Sequence, residues 1–117
     1  MSLKGSVLIT GCSNGMAGSA MAKGFQKQGY QIFAASHSLE TMSEVESLPN
    51  VKLHQLDVTK STDIRDAVGD ISKEIDSKLT YLVNCAARIH FMPLLDEDIE
   101  AGKALHDLNV WGPLAVT

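Results

Sequence analysis

The segment with the clearest chemical signature is the glycine-rich run 10–18, Thr-Gly-Cys-Ser-Asn-Gly-Met-Ala-Gly. It follows an apolar, β-branched stretch at 6–10 and precedes a stretch at 17–28 rich in helix-forming residues. Glycines at a strand-to-helix turn leave backbone amides free at the positive end of a helix, where an anion binds. The pattern predicts a site for the pyrophosphate of a dinucleotide. On this segment alone, a plain turn without a ligand stays an open alternative.

Polar residues also follow the ends of three later predicted strands, 31–35, 51–56 and 79–83. After the first of them, Ser36, His37 and Ser38 stand where a carboxylate would bind the ribose 2′-hydroxyl of NAD. No carboxylate is present to repel a 2′-phosphate, so the segment favours NADP(H) over NAD(H), although arginine, the best partner of phosphate, is missing. Asp57 and Asn84 follow the other two strands, where each could instead be a simple turn residue.

Helical patterns alternate with these strands. They cover about 39–47, a segment beginning at Ser61 or Thr62, and a last helix capped near Asp96. The second of them has the strongest amphipathic spacing, and the last has an apolar inner stripe of Ala101, Ala104, Leu105 and Leu108. The order β-α-β-α-β-α-β-α predicts an α/β fold with a parallel sheet, whose apolar fourth strand is covered on both faces.

Four motifs in this order resemble those of the short-chain dehydrogenases/reductases. They are Thr-Gly-x-x-x-Gly from Thr10, Leu-Asp-Val-Thr at 56–59, Asn-Cys-Ala-Ala at 84–87, and Asn109 in the last helix. One extra residue before the last glycine is most similar to the branch with the fungal acyl-dihydroxyacetone-phosphate reductases. The resemblance implies a Rossmann-type three-layer α-β-α fold with strand order 3-2-1-4.

The resemblance also implies roles for individual residues. Asp57 would hold the adenine amino group, and the amide of Val58 would contact the ring. Asn109 would be catalytic by holding a water in a proton relay, although a plain polar helix residue is the alternative. The cofactor-binding set is then Gly11, Ser13, Asn14, Gly15, Ala17, Gly18, Ser36, His37, Ser38, Asp57, Val58, Asn84 and Ala86.

The sequence departs from the family pattern in ways that bear on activity. Ala87 replaces a glycine near the ribose, and Cys85 replaces a second asparagine. The family's catalytic Ser, Tyr and Lys have no counterpart, because neither Tyr30 nor Tyr81 has a lysine four residues later. We therefore expect residues 1–117 to be the amino-terminal part of one dinucleotide-binding domain and to be inactive alone. A non-catalytic nucleotide-binding module and one chain of a two-chain enzyme are the alternatives.

The composition limits the partners. A net charge of −4 with no dense basic run argues against nucleic acid. Two cysteines are too few for a disulfide framework, and no signal peptide or metal-ligand spacing is present, which indicates a cytoplasmic protein without a metal. We expect a small carbonyl or alcohol as substrate. The open edge of the fourth strand predicts a homo-oligomer or another association.

Overall fold

A computed structural model describes residues 2–76 and 78–117, so Met1 and Ser77 of the predicted domain lie outside the described residues. Four parallel strands form one sheet in the order β3-β2-β1-β4, which confirms the predicted topology. The strands are β1 (Ser6–Ile9), β2 (Gln31–Ser36), β3 (Val51–Gln55) and β4 (Tyr81–Val83). The main helices are α1 (Ala17–Lys27), α2 (Ser43–Glu46), α3 (Ser61–Glu74), α4 (Ile99–His106) and α5 (Gly112–Val116).

The two central strands bury side chains on both faces, which produces the three layers. Val7 and Ile9 of β1 pack into the core beneath α1 and α2, whereas Leu8 points into the core beneath α3 and α5. In β2, Ile32 lies in the first core and Phe33 in the second. Successive residues of a strand point to opposite faces, so a continuous apolar run fits a strand covered on both sides.

Two helix starts differ from the sequence prediction. The last long helix begins after Asp98 rather than Asp96, because the Asp98 carboxylate accepts a hydrogen bond from the Ala101 amide at 2.9 Å. Asp96 instead ends a short 3₁₀ turn that follows Pro93. Helix α3 has Lys60 at its N-cap and no capping side chain, so neither Ser61 nor Thr62 has the expected role. The predicted helix 39–47 is a 3₁₀ turn, Leu39–Met42, followed by the single turn α2.

The faces of β4 are less covered than its apolar run predicts. Leu82 and Val83 are half-buried and Tyr81 is 49 % exposed, because within the described ranges β4 pairs only with β1. The expected inner stripe of the last helix is only partly covered. Ala101 and Ala104 of α4 are exposed, whereas Leu105 of α4 and Leu108, just after its end, are half-buried. Among residues 2–76 and 78–117, no helix is long and apolar enough to cross a membrane.

The last helical stretch changes geometry before it reaches the core. After α4, Asp107–Trp111 forms a π turn in which the Gly112 amide donates to the Asp107 carbonyl. Gly112 permits this turn to lie against the segment that follows β3, because a Cβ there would lie 2.6 Å from Val58 Cγ2. The chain then continues into α5, whose Val116 is buried in the core.

Candidate functional site

A cleft of about 550 Å³ opens at the carboxyl ends of the strands. Ligands of open α/β sheets bind at this edge. Seven of the predicted cofactor residues line the cleft: Gly11, Ser13, Ser36, His37, Asp57, Val58 and Ala86. The other lining residues were not predicted to bind the cofactor. They are Met16, Leu56, Thr59, Cys85, Ala87, Arg88, Ala104 and Leu108. The predicted residues Asn14, Gly15, Ala17, Gly18, Ser38 and Asn84 are not part of this lining.

Two glycines of the first turn allow close backbone contacts that build the floor of the cleft. A Cβ on Gly11, whose φ is +70°, would lie 2.7 Å from backbone atoms of Cys85 and Ala86. A Cβ on Gly18 would lie 2.4 Å from the Gly11 carbonyl oxygen. Any side chain at either position would push the first turn away from its neighbours. The loop after β4 and the start of α1 can therefore both lie against this turn only because these positions are glycine.

The Thr10 hydroxyl fastens the loop after β4 to the end of β1. Its oxygen accepts hydrogen bonds from the Cys85 and Ala86 amides, each at 3.1 Å, and the side chain is buried. In the sequence, Thr10 is recognisable only as part of the glycine motif. A threonine at a strand end gives no sign of a partner about 75 residues away, so the pattern alone could not find this role.

Three hydroxyl groups join the glycine-rich turn to the end of β2. The oxygen atoms of Ser13, Ser36 and Thr41 lie 2.9–3.0 Å from one another. Ser36 is only 2 % exposed, so its hydroxyl belongs to this cluster and is not an open ligand group. His37 is exposed and lines the cleft, whereas Ser38 is half-buried beside it.

The side chain of Asn14 is engaged by the segment after β2. Its Nδ2 donates to the Ser43 hydroxyl at 2.8 Å, and its Oδ1 accepts from the Glu44 amide at 2.9 Å. Since the first turn of a helix leaves amides without partners, Asn14 satisfies one at the start of α2. Asn14 was predicted to bind the cofactor, but in the structure its side chain is hydrogen-bonded to other residues of the protein. Gly15 and Ala17 are exposed on the outside of the turn.

The Asp57 carboxylate lies in the cleft wall at the end of β3. Its Oδ1 accepts from both the amide and the hydroxyl of Thr59, and these bonds hold the pKa of Asp57 below its ordinary value. Asp57 is therefore ionised at neutral pH and accepts hydrogen bonds. The neighbouring Val58 is buried against Gly112, which fixes this wall to the last helical stretch.

Asn109 binds the backbone of the loop after β4 with both ends of its amide. Its Oδ1 accepts from the Arg88 amide and its Nδ2 donates to the Arg88 carbonyl, both at 2.9 Å. The side chain thereby positions Arg88, the cationic residue of the cleft lining. Asn84 is exposed and donates to the Thr117 hydroxyl at 3.2 Å. Neither amide is aimed into the cleft by these contacts.

Both tyrosines lie at the opposite end of the sheet from the cleft. Tyr30 precedes β2, and Tyr81 begins β4. Their ring centroids are 5.9 Å apart, and both pack against Phe25 of α1. Neither can reach a substrate at the carboxyl ends of the strands. Over residues 2–76 and 78–117 no group of three or more His, Cys, Asp or Glu side chains could hold a metal ion.

Comparison with known proteins agrees with this geometry. Residues 5–117 match the family described as short chain dehydrogenase. The chain is 42 % identical over 108 residues to the short-chain dehydrogenase ptmH of Penicillium ochrochloron, covering 92 % of this chain and 40 % of that protein. It is 34 % identical over 106 residues to an NADPH-dependent 1-acyldihydroxyacetone phosphate reductase of Schizosaccharomyces pombe, covering 91 % of this chain and 36 % of the relative. The chain thus spans about two fifths of the length of these relatives.

Solved structures share the fold at low sequence identity. A 3-ketoacyl-(acyl-carrier-protein) reductase from Brucella melitensis complexed with NADH has a TM-score of 0.87 at 23 % identity, over 98 % of this chain and 48 % of its own. An NADPH-bound carbonyl reductase from chicken fatty liver has a TM-score of 0.87 at 20 % identity, over 99 % and 46 %. These structures show the shared fold. The family match over residues 5–117, with the relative that is 42 % identical, shows that this chain belongs to the short-chain dehydrogenases, a family of oxidoreductases.

Proposed function

We propose that this chain forms the adenosine- and pyrophosphate-binding part of an NADP(H)-dependent oxidoreductase that reduces a carbonyl or oxidises an alcohol. The observation that carries the proposal is the cleft itself. The glycine-rich turn, His37 and Asp57 meet there, on three adjacent strands of one sheet. This is the edge and the strand arrangement at which Rossmann-type sheets take a dinucleotide.

The residues present fit such a cofactor. Nothing lies within 4 Å of a Cβ built on Gly15, so the outside of the first turn is open to a pyrophosphate. The amides of Gly15 and Ala17 would hold it, the ionised Asp57 would accept from the adenine amino group, and Val58 would contact the ring. The bound cofactor supplies the hydride, while these residues bind and orient it.

The preference for NADP(H) is supported by His37 and by the absence of a carboxylate at the end of β2. A carboxylate there would repel a 2′-phosphate. The Schizosaccharomyces pombe relative carries NADPH dependence in its name. The solved structures include one with NADH and one with NADPH, so their common fold does not decide between the cofactors.

The proton for the reaction would come from outside this chain. Tyr30 and Tyr81 lie at the wrong end of the sheet, and Asn109 is engaged by Arg88. Within this proposal Asn109 and Asn84 act by holding the loop after β4, and the substrate is a small carbonyl or alcohol. We expect no dehydrogenase turnover from the 117-residue chain alone, because a positioned general acid contributes about 10²–10⁴-fold.

Self-association is also part of the proposal. Five side chains of the loop after β4 and of the start of α4 are 72–97 % exposed: Ile89, Phe91, Leu94, Leu95 and Ile99. Exposed apolar groups on this scale mark interaction surfaces. We call these five residues the loop patch, and we propose that a second copy of the chain covers it.

Calorimetric titration with NADPH and NADH tests the cofactor assignment. We expect NADPH to bind more tightly. The Gly18→Ala variant should bind either nucleotide at least ~10-fold more weakly, because the new Cβ displaces the Gly11 carbonyl and with it the turn. Gly24→Ala is the matched control in the same helix, where a Cβ meets nothing within 4 Å. Equal binding by Gly18→Ala and the unsubstituted chain, or tighter binding of NADH than NADPH, would contradict the proposal.

A further inference from the structure

Thr41 contacts four residues that the sequence assigns to the cofactor, although it does not line the cleft itself. Its carbonyl accepts from the Asn14 amide at 2.7 Å, and its hydroxyl lies within 3.0 Å of the hydroxyls of Ser13 and Ser36. The same hydroxyl donates to the Ser38 carbonyl at 2.7 Å. Thr41 lies in the 3₁₀ turn after β2 and joins that turn to the glycine-rich turn.

The number of protons in this cluster determines the direction of its hydrogen bonds. A hydroxyl has one proton and two acceptor lone pairs. Because Thr41 gives its proton to the Ser38 carbonyl, its oxygen can only accept from Ser13 and Ser36. The two serine protons can satisfy at most two of the three contacts among the hydroxyls, and this maximum is reached only when each serine directs its proton to Thr41 or to the other serine, which is 2.9 Å away.

This arrangement determines whether the Ser13 hydroxyl donates a hydrogen bond to a ligand or accepts one. Ser13 lines the cleft, and in the arrangement with the most hydrogen bonds its proton points inward. It presents lone pairs, which accept from a ribose hydroxyl and repel the oxygens of a phosphate. Ser36 is 2 % exposed and contacts no ligand directly.

We propose that Thr41 is a positioning residue that determines cofactor specificity, by holding Ser13 as an acceptor and so limiting the affinity for a 2′-phosphate. The proposal rests on the proposed function, since it concerns the same nucleotide cleft. Within it, any preference for NADP(H) comes from His37 and Ser38, and Thr41 works against that preference.

Thr41→Val tests this with little change of shape. Valine has no hydroxyl, so Ser13 and Ser36 keep one bond between them. Among the residues that the structure describes, Ser13 is then the remaining acceptor for the proton of the buried Ser36, and the proton of Ser13 is released towards the cleft. A hydrogen bond to a charged oxygen is strong enough that we expect the affinity for 2′-phospho-ADP-ribose, relative to ADP-ribose, to rise roughly 3- to 10-fold.

Two further variants separate this effect from a loss of structure. Thr41→Ser keeps the hydroxyl and should keep the unsubstituted ratio within about twofold. The double variant Ser13→Ala/Thr41→Val has no proton to release, so its ratio should equal that of Ser13→Ala. Both ligands are measured by calorimetry, which requires no turnover, and thermal unfolding confirms that each variant is folded.

The outcomes distinguish this inference from the proposed function. If the unsubstituted chain binds neither ligand, the proposed function fails and the role of Thr41 fails with it. If it binds them and Thr41→Val leaves the ratio unchanged, lowers it, or weakens both ligands equally, only the role of Thr41 is wrong. A rise that persists at the same size in the double variant also overturns it, because the released proton would not belong to Ser13.

Discussion

His37 is the one exposed, ionisable side chain that β2 and the turn after it bring to the cleft. The residue at this point of a dinucleotide site discriminates between a ribose hydroxyl and a phosphate. The hydroxyls of Ser13 and Ser36 are bonded within the protein, so in the proposed site we expect His37 to have more influence on this choice than either of these serines.

Replacing His37 with Asp should shift the preference towards NADH. The new carboxylate repels a 2′-phosphate and accepts from a 2′-hydroxyl, so we expect the ratio of NADH to NADPH affinity to rise by about tenfold or more. Parallel titrations with the two nucleotides measure it. His106→Asp changes the charge equally on α4, outside the cleft lining, and should leave the ratio unchanged. Tighter NADPH binding by His37→Asp would show that the 2′ position lies elsewhere.

Residue types predicted which segments meet in the cleft, but they did not predict the hydrogen bonds that hold these segments together. The glycine-rich turn, His37 and Asp57 could be found because each follows a recognisable strand. Thr10 and Thr41 could not, because their roles depend on hydrogen bonds that form only when distant segments pack together. Arg88 was also missed: its place in the cleft is set by the Asn109 amide, 21 residues later in the sequence.

At the scale of elements, the packing of α3 against the sheet buries a histidine. His54 of β3 lies on the polar side of an alternating strand, which predicts exposure. In the structure it is half-buried, its ring centroid is 5.7 Å from that of Phe33, and its Nε2 is buried without a partner among the described residues. Burial lowers the pKa of His54, against the opposing effect of Asp70 and Glu74 on α3.

Stability should therefore fall on mild acidification. The folded chain holds His54 neutral at a pKa below its ordinary value of 6.5. Above pH 6.5 the imidazole of His54 is mostly neutral in both the folded and the unfolded chain, so it does not reduce stability. As the pH falls below 6.5, the unfolded chain binds the proton more readily than the folded chain does, and the free energy of unfolding decreases. We expect the free energy of unfolding, measured with urea, to decrease between pH 8 and 5.5. The decrease should be smaller in His54→Gln, and identical pH profiles would rule out this role.

The alternation of strands and helices was predictable, because apolar residues repeat every two positions in a strand and about every 3.6 in a helix. The strand order was predictable only through the resemblance to the short-chain dehydrogenases/reductases. The ends of elements were less predictable. The sequence analysis expected the cap of the last helix near Asp96, and the hydrogen bond from the Ala101 amide shows that Asp98 caps α4. The open edge of β4 was expected, but the exposure of its first residue, Tyr81, and of Ala101 and Ala104 on α4 was not, because apolar residues indicate burial whether or not a described element covers them.

At the scale of the whole molecule, the two ends of the sheet differ in character. The carboxyl end holds the cleft, whereas the other end holds the packed rings of Phe25, Tyr30 and Tyr81. The loop patch adds a third surface, in the loop after β4 and at the start of α4. The proposed nucleotide site and the proposed association surface have no residue in common, so the two proposals can be tested separately.

The loop patch should drive self-association in solution. We expect light scattering of the chain to give a mass above that of the 12.6 kDa monomer, at least at micromolar concentration. Leu95→Lys places a charge at the most exposed residue of the patch and should lower the mass towards the monomer. Leu39→Lys alters an exposed leucine outside the patch and should not. A monomer at all concentrations would contradict the assignment of this surface.

The most direct test of the nucleotide site is an NMR titration of the isotope-labelled chain with NADP⁺, following backbone amides. If the cleft is the nucleotide site, we expect saturable shifts in the glycine-rich turn 11–18, at His37 and Ser38, and at Asp57 and Val58. We expect no comparable shift around Tyr30 and Tyr81 at the other end of the sheet. Absence of shifts at millimolar NADP⁺, or shifts centred away from the cleft, would contradict this assignment.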